Sequence, residues 1–421
     1  MKTDTVTQNE IQNAVFLLLR WSLWGEDTLD DAEREALLHV TDWRAVFTEM
    51  KHQTVQGLVA PLLDRLPIAD EALRQEWKLQ CMHDQMRWYQ ILAGQQELLA
   101  LMEEEKIPCV ILKGAAAGLQ YPNPVLRCSG DVDFLVKRED YFRAALALEE
   151  NGYLVEKDEE DSPHHRRCGK NGVCFELHRR MARISEDDET LLCLFEKGID
   201  QRETAQIDRF SFPRLPTFQN GLSLLLHLHQ HLRLGIGLRQ ITDWMCFAQK
   251  TLSDQVWKEQ FRPYLQKLGL ETFAVTVTEL CRTYLGLWSD ADPAYGAPTW
   301  SQGADRALCR ELMEHVVEKG NFGYKSADDG HITFFYININ NPVQFFKRIQ
   351  EGGLERWKST RKYPILRPFA WFYQFGHILR ELIRQKRTPR AMLALHKSGQ
   401  KQEELFKKLG PSAAVTERKT E

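Results

Sequence analysis

The sequence predicts an α+β fold in which one compact mixed domain lies between two helical regions. Hydrophobic residues near the N-terminus recur with a helical period, for example at Ile11, Val15 and Leu18. Short apolar runs and turn residues follow each other between residues 108 and 212, a pattern typical of strands mixed with helices. Helical periodicity returns after Pro213.

Composition excludes several classes of protein. The 421 residues are 43% hydrophobic and 27% charged, which is ordinary for a globular protein, and the net charge of −4 gives no strong signal for nucleic acid. The nine cysteines occur singly, without a CxxC pair, which favours a reducing cytoplasm over disulfides or a thiolate zinc site. The N-terminus lacks a signal peptide's apolar core, and no apolar run approaches the ~20 residues of a transmembrane helix. We therefore expect a cytoplasmic protein without a transmembrane segment.

Five segments are predicted along the chain. They are a helical region at 1–107, the α+β core at 108–212, a helical region at 213–288 that completes the cleft, a C-terminal helical region at 289–409 and a disordered tail at 410–421. The first region ends in a long amphipathic stretch from Glu71 to Lys106.

Within the core, strands are predicted from apolar or alternating runs bounded by turn residues. They lie in VILKG (110–114), GDVDFLV (130–136), YLVEKD (153–158), HHRRCGKNG (164–172) and VCFELHRR (173–180). The amphipathic stretch EDYFRAALALEENG predicts a helix that stops at Gly152. Lys170-Asn171-Gly172 is a hairpin signal between the last two strands.

Two aspartates lie one residue apart in the strand GDVDFLV. In a strand, Asp131 and Asp133 point to the same face with their Cα atoms ~6.6 Å apart. Two carboxylates this close repel each other, whereas a divalent cation between them would reverse the sign of the interaction. A solvated strand edge is the alternative, and the pair alone favours neither. Hard oxygen ligands on a rigid strand suit Mg²⁺, so the metal interpretation makes both aspartates ligands.

Residues upstream of the aspartates favour the metal interpretation. Lys113-Gly114 ends the preceding strand and opens a helix-like segment, where a glycine lets backbone N–H groups approach a phosphate. Arg127, Ser129 and Gly130 directly precede the aspartates, within reach of phosphate oxygens. We therefore predict that these five residues bind phosphate.

A third carboxylate lies in the strand VCFELHRR. Glu176 and His178 share one face of this strand, while Phe175 and Leu177 occupy the other. Glu176 could assist deprotonation of a nucleophile beside the metal-binding aspartates. The alternative for Glu176 is an exposed edge residue paired with an arginine.

The stretch LKGAAAGLQYPNP, Arg127, GDVDFLV and the FELH strand together resemble an uncharacterised nucleotidyltransferase family of the DNA polymerase β superfamily. The later segment HLHQHLRLGIGLRQITDW is similar to that family's helical signature. Its matching positions are His231, Leu238, Arg239 and Asp243. The resemblance covers roughly residues 10–250.

The resemblance implies a small mixed sheet flanked by helices and a metal-dependent enzyme. The enzyme would move a nucleoside monophosphate from a nucleoside triphosphate to a hydroxyl acceptor and release pyrophosphate, with Mg²⁺ or Mn²⁺ as cofactor. The acceptor is undetermined and could be a small molecule, a sugar or a protein. Asp131 and Asp133 would bind the metal, and Glu176 would be the third catalytic carboxylate. The nucleotide would be bound by Lys113, Gly114, Arg127, Ser129, Gly130, His178 and Arg239.

One departure from the superfamily pattern leaves other functions open. Ala115 stands where serine or glycine commonly follows the glycine of the turn, and the spacing from Gly114 to Asp131 is long. The departure favours a non-catalytic nucleotide-binding or protein-interaction module on the same fold. A phosphotransferase or hydrolase with the same metal site is a third interpretation. The intact set of Asp131, Asp133 and Glu176 favours the nucleotidyltransferase.

Two residue pairs on the predicted helices have structural alternatives. His227 and His231 lie four residues apart on one helix face, where packing is favoured over a metal site. Arg239 and Asp243 are also four apart, so they could pair with each other rather than line the cleft.

Two charged stretches also have structural alternatives to a binding function. The run His164–Arg167 more commonly marks a solvated hairpin than a phosphate site. Aromatic and basic residues interleave from Phe345 to Arg390. For this stretch we favour amphipathic helices packed on a domain over a peripheral membrane contact.

Overall fold

Strands from the predicted core, with one additional hairpin, form a mixed sheet. Their bounds are β1 Cys109–Leu112, β2 Asp131–Val136, β3 Leu154–Val155, β4 His165–Lys170, β5 Val173–His178, β6 Glu203–Ile207 and β7 Phe210–Arg214. Their order in the sheet is β3-β4-β5-β2-β1-β7-β6. The β2–β5 and β1–β7 pairs are parallel, and the other neighbours are antiparallel. The predicted α+β fold class is confirmed.

The computed structural model describes residues 2–156, 165–181, 189–232, 234–289, 296–326, 346, 349–350, 352–354, 357, 359–384 and 400–410. Two units make up the chain, Met1–Lys325 with Leu409–Glu421, and Ser326–Lys408. The predicted tail beyond Gly410 lies outside the described residues.

Helices of the first unit precede and follow the sheet, as the periodicity predicts. Their bounds are α1 Lys2–Trp24, α2 Asp31–Leu38, α3 Trp43–His52, α4 Glu71–Glu104, α5 Gly114–Gly118, α6 Tyr141–Glu150, α7 Glu189–Asp200, α8 Thr217–His231, α9 Leu238–Thr251, α10 Asp254–Val256, α11 Arg262–Lys267, α12 Glu271–Leu285 and α13 Arg306–Lys319. A π-helical turn, Trp257–Phe261, joins α10 to α11. The long α4 begins after Asp70, whose side chain accepts a hydrogen bond from the Leu73 backbone N–H.

One face of the sheet is covered by α4 and α6. Trp88 and Ile91 of α4 and Ala144 of α6 share a hydrophobic core with Val132 and Phe134 of β2. Alternation along β2 therefore turns the two aspartates to the opposite face of the sheet. The hydrophobic pattern of β2 thus fixes on which side a site can form.

The hairpin β6–β7 is a feature that the sequence pattern does not predict. Its strands have mixed polarity, with Glu203 and Thr204 exposed, and Pro213 lies within β7. β7 joins the sheet through a parallel pairing with β1, in which Ile111 lies opposite Arg214. Residues far apart in the chain thus decide this pairing, so local propensity does not reveal it.

The predicted hairpin between β4 and β5 is present. Asn171 and Gly172 both have positive φ, at 51° and 73°, as a tight hairpin turn requires. Arg166 and Arg167 lie in β4, in agreement with the hairpin interpretation of the basic run, while His164 lies outside the described residues.

The second unit contains α14 Ser359–Lys362 and α15 Ala370–Arg384. Ala370 and Gln374 are buried, whereas Phe369, Phe372 and Phe375 are each more than half exposed. The buried residues Ala370 and Gln374 are four apart and so share a helix face, and the expected packing of amphipathic helices on a domain stays a prediction. In the described part of the chain, no helix combines the length and apolar character needed to cross a membrane.

Candidate metal and nucleotide site

Two of the predicted site carboxylates meet on neighbouring strands. The parallel register of β2 and β5 places Asp133 opposite Glu176. Phe134 and Phe175 point into the core on the covered face, so Asp133 and Glu176 point together to the other face. A pair of carboxylates is thereby held by rigid backbone on adjacent strands.

Asp133 accepts two hydrogen bonds at one oxygen. Lys113 Nζ and His178 Nε2 each lie 2.8 Å from Asp133 Oδ1. Burial alone would raise the pKa of Asp133, but Lys113 and His178 hold that pKa well below its ordinary value. The carboxylate is therefore ionised although it is buried.

Glu176 lies in the same group of charges. Arg167, its cross-strand neighbour on β4, donates from Nε to Glu176 Oε1 at 3.2 Å, and His178 Nε2 lies 3.6 Å from Oε2. Burial opposes ionisation of Glu176, but the neighbouring His178 helps to lower the pKa of this carboxylate. The arginine pair considered as an alternative exists, yet the Glu176 side chain is only 13% exposed.

Asp131 lies two residues before Asp133 on the same face of β2. Burial and the charge of Asp133 raise the pKa of Asp131 to about 6, against the opposing effect of Lys113. The repulsion between two adjacent carboxylates, expected from the sequence, therefore raises the pKa of Asp131 and not that of Asp133.

The structure brings together three potential metal ligands, and this group includes Asp133 but not Asp131 of the two predicted aspartates. Among the described residues it comprises Asp133, Glu176 and His178, each offering one ligand atom, with these atoms within 4.8 Å of one another. The two carboxylates fit Mg²⁺ or Mn²⁺, whereas an imidazole is an unusual ligand for Mg²⁺. Because His178 donates to Asp133, this donor set also fits a carboxylate site in which the imidazole orients the metal-binding oxygens.

The predicted phosphate-binding turn has an unusual backbone. Lys113 has φ 44° and ψ −127°, and Gly114 has φ 23°. A Cβ at Gly114 would make only ordinary contacts, 3.7 Å from Asp131 O and 3.9 Å from Ser129 Oγ. The backbone conformation, not lack of space, therefore favours glycine here. The helix that follows, α5, has five residues, so its dipole adds little to anion binding.

Both Ala115 and the segment before β2 make contacts with other parts of the fold. The Ala115 side chain is buried in the hydrophobic core, which accounts physically for an apolar residue after the glycine. Gly130 O accepts a hydrogen bond from Arg87 Nη2 at 3.1 Å, and Arg87 Nη1 donates to Gly172 O at 2.8 Å. Arg87 of α4 thus ties the segment before β2 to the β4–β5 turn, a link that no sequence pattern indicated.

A family model described as an uncharacterised nucleotidyltransferase matches residues 39–286. The chain belongs to this family. The match confirms the resemblance to this family, and it includes the helical region after the sheet as far as the end of α12. No curated protein matches the chain.

Two positions of the nucleotidyltransferase signature are joined by a buried ion pair. Arg127 donates from Nε to Asp243 Oδ1 and from Nη2 to Asp243 Oδ2, both at 2.7 Å. Tyr121 Oη also donates to Asp243 Oδ1, at 2.7 Å. The considered pairing of Arg239 with Asp243 is therefore wrong, and Arg239 Nη1 instead lies 3.4 Å from Cys128 O. Arg127 thus uses its guanidinium to hold α9.

The two histidines of α8 lie within electrostatic reach of Lys113 and Asp133. The rings of His227 and His231 are 4.3 Å apart and roughly perpendicular. Burial, together with the charge of Lys113, lowers the pKa of His231 to about 4 and that of His227 well below its ordinary value. Neither histidine belongs to a three-residue ligand group in the described residues.

Proposed function

We propose that this protein transfers a nucleoside monophosphate from a nucleoside triphosphate to a hydroxyl acceptor, with Mg²⁺ or Mn²⁺ as cofactor. The observation that carries the proposal is the meeting of Asp133 and Glu176 from two parallel strands, beside Lys113. Membership of a nucleotidyltransferase family supports the same chemistry. Binding of a small anionic nucleotide is compatible with the overall charge of −4, because Lys113 supplies a local positive charge.

The carboxylates would divide the work between metal binding and proton transfer. Asp131 and Asp133 would hold the cation, and His178 would keep the Asp133 carboxylate in position through the bond at 2.8 Å. When bound, the cation would supply charge stabilisation for the phosphates and the leaving pyrophosphate. Glu176 would accept the proton of the acceptor hydroxyl.

The proposed reaction balances without a further reactant. The acceptor oxygen forms a bond to the α-phosphorus, and the bond from that phosphorus to the β-phosphate oxygen breaks, so pyrophosphate leaves. Lys113, with Ser129 and the backbone at Gly114 and Gly130, would bind phosphate oxygens. Arg239, on the helix that Arg127 anchors, would contact the nucleotide at the edge of the site.

A screen of the four ribonucleoside triphosphates tests this function. Each is incubated with Mg²⁺ or Mn²⁺ and with panels of small hydroxyl compounds, sugars and proteins, and pyrophosphate and labelled product are measured. We expect pyrophosphate release that Asp133→Asn lowers by about a hundredfold or more, because it removes a charged metal ligand. Asp200→Asn, the same change at an exposed residue paired with Lys137, should have no effect.

Other outcomes of this screen identify other functions. Release of orthophosphate would indicate a hydrolase, and transfer of the terminal phosphate would indicate a phosphotransferase. Nucleotide binding without any product would indicate a non-catalytic module. Activity that is the same in Asp133→Asn and in the unchanged protein would overturn the proposed site.

A further inference from the structure

A lysine ammonium contacts Asp133, a member of the candidate metal-ligand group. Lys113 Nζ lies 2.8 Å from Asp133 Oδ1, the same atom that accepts from His178. The side chains of Lys113 and Asp133 are 12% and 4% exposed, so little water screens this ion pair. Asp133 is also a member of the three-ligand group with Glu176.

A cation bound to Asp133 would have the same sign of charge as the Lys113 ammonium. Two like charges would then lie at one carboxylate. Such repulsion is strong where solvent is largely excluded. In the structure, Lys113 and Arg167 already compensate much of the charge of Asp131, Asp133 and Glu176. A divalent cation therefore interacts most favourably with these carboxylates once the Lys113 ammonium has left Asp133.

We propose that Lys113 and the divalent cation are alternative partners of Asp133, and that the triphosphate makes the exchange favourable by accepting the displaced ammonium. This inference rests on the proposed function and adds how the metal and the triphosphate affect each other's binding. Metal alone binds weakly, and metal and triphosphate bind with positive coupling.

The position of Lys113 permits this exchange. Leu112 lies opposite Asp133 in the β1–β2 register, so Lys113 follows directly at the end of β1. Its backbone has φ 44°, a costly conformation for a residue with a side chain, and it is followed by Gly114 in the turn beside Ser129. The backbone can stay fixed while the flexible lysine stem carries the ammonium from the carboxylate toward a phosphate at this turn.

Titrations with Mn²⁺ and inorganic triphosphate test the exchange without any turnover. Free Mn²⁺ is followed by electron paramagnetic resonance, and binding of the preformed Mn²⁺–triphosphate complex is followed by calorimetry. We expect Lys113→Gln to bind Mn²⁺ alone about tenfold more tightly and the complex about tenfold more weakly than the unchanged protein, within the usual range of coupling between sites. Lys137→Gln removes the same charge at a lysine that pairs with the exposed Asp200, and it should change neither affinity.

The opposite signs of the two effects distinguish the inference from simple damage to the site. If Lys113→Gln weakens both affinities or changes neither, the inference is wrong while the proposed metal site stands. If no variant binds Mn²⁺ at millimolar concentration, the proposed metal site is wrong and the inference fails with it.

A labelling experiment on the unchanged protein applies even if Lys113→Gln does not fold. Trace acetylation of amines is quantified by mass spectrometry with and without ligands. Mn²⁺ should increase the labelling of Lys113 by freeing its ammonium from Asp133, and added triphosphate should decrease it again. Labelling of Lys137 serves as the internal control. Unchanged labelling of Lys113 with Mn²⁺ at saturation would contradict the exchange.

Discussion

At the scale of single residues, two side chains of the same type have different pKa values because their surroundings differ. Asp131 and Asp133 lie on one face of β2, yet the pKa of Asp131 is raised to about 6 while that of Asp133 is held well below its ordinary value. Lys113 and His178 contact Asp133 directly, and this explains the difference. The alternation of β2 predicts the shared face, but not which carboxylate receives the partners.

The raised pKa of Asp131 predicts a pH-dependent stability in protein stripped of metal. Asp131 changes from its ordinary pKa of 3.8 to about 6 on folding, so its ionisation opposes folding above about pH 6 and has no effect below about pH 4. Asp131→Asn mimics the neutral form. It should therefore raise the free energy of unfolding at pH 8 by about 1–3 kcal/mol, and the gain should vanish as the pH falls to 4.

Urea denaturation in EDTA at several pH values measures this difference. Asp200→Asn is the control, because Asp200 is exposed and pairs with Lys137. A gain from Asp131→Asn that is equal at pH 4 and pH 8 would show that ionisation of Asp131 is not its cause.

At the scale of elements, the ion pair between Arg127 and Asp243 joins the segment before β2 to α9. Both partners are buried, and the guanidinium donates two hydrogen bonds to the carboxylate. Removal of one partner leaves the other as an uncompensated charge, while neutralisation of both does not. The pair thereby fixes α9, which carries Arg239, relative to the sheet.

A double-mutant cycle on this pair is predicted to be strongly non-additive. Arg127→Met and Asp243→Asn should each destabilise the protein by about 3–5 kcal/mol, and the double variant should cost clearly less than the sum. Guanidinium denaturation provides the measurement. Additive losses would mean that the pair contributes no coupling.

The same variants test the predicted phosphate contact of Arg127. If Arg127 acts only by anchoring α9, Arg127→Met and Asp243→Asn should weaken triphosphate binding to a similar extent. A much larger loss in Arg127→Met would instead support the direct contact that the sequence predicted.

At the scale of the whole molecule, the site depends on a sheet assembled from distant parts of the chain. β1 lies between β2 and β7, and the strand order places β5 on the other side of β2. A ligand that binds only to this assembled sheet must stabilise the folded chain by mass action.

Thermal unfolding therefore provides a test of ligand binding in the complete chain. Mn²⁺ with triphosphate at about a hundred times the dissociation constant should add about 2.7 kcal/mol. We expect the transition of the sheet-containing unit to rise by about 3–5 °C. Asp133→Asn should abolish the shift and Asp200→Asn should keep it. An equal shift in both variants would place the ligand elsewhere.

The sequence by itself determined the local features of this protein. Strand alternation put Asp131 and Asp133 on one face, the Asn171-Gly172 turn set the β4–β5 hairpin, and the spacing of apolar residues predicted the long helix α4. These features depend on neighbours a few residues away, so propensity and periodicity are sufficient.

Only the tertiary structure decided which distant groups meet. It paired Arg127 with Asp243, placed Lys113 on the oxygen that His178 shares, and added β6–β7 to the sheet through β1. Each of these contacts joins segments far apart in the chain, and several partners of equal chemistry were available. The choice among them follows from packing and burial in the folded chain, which no local pattern of residues encodes.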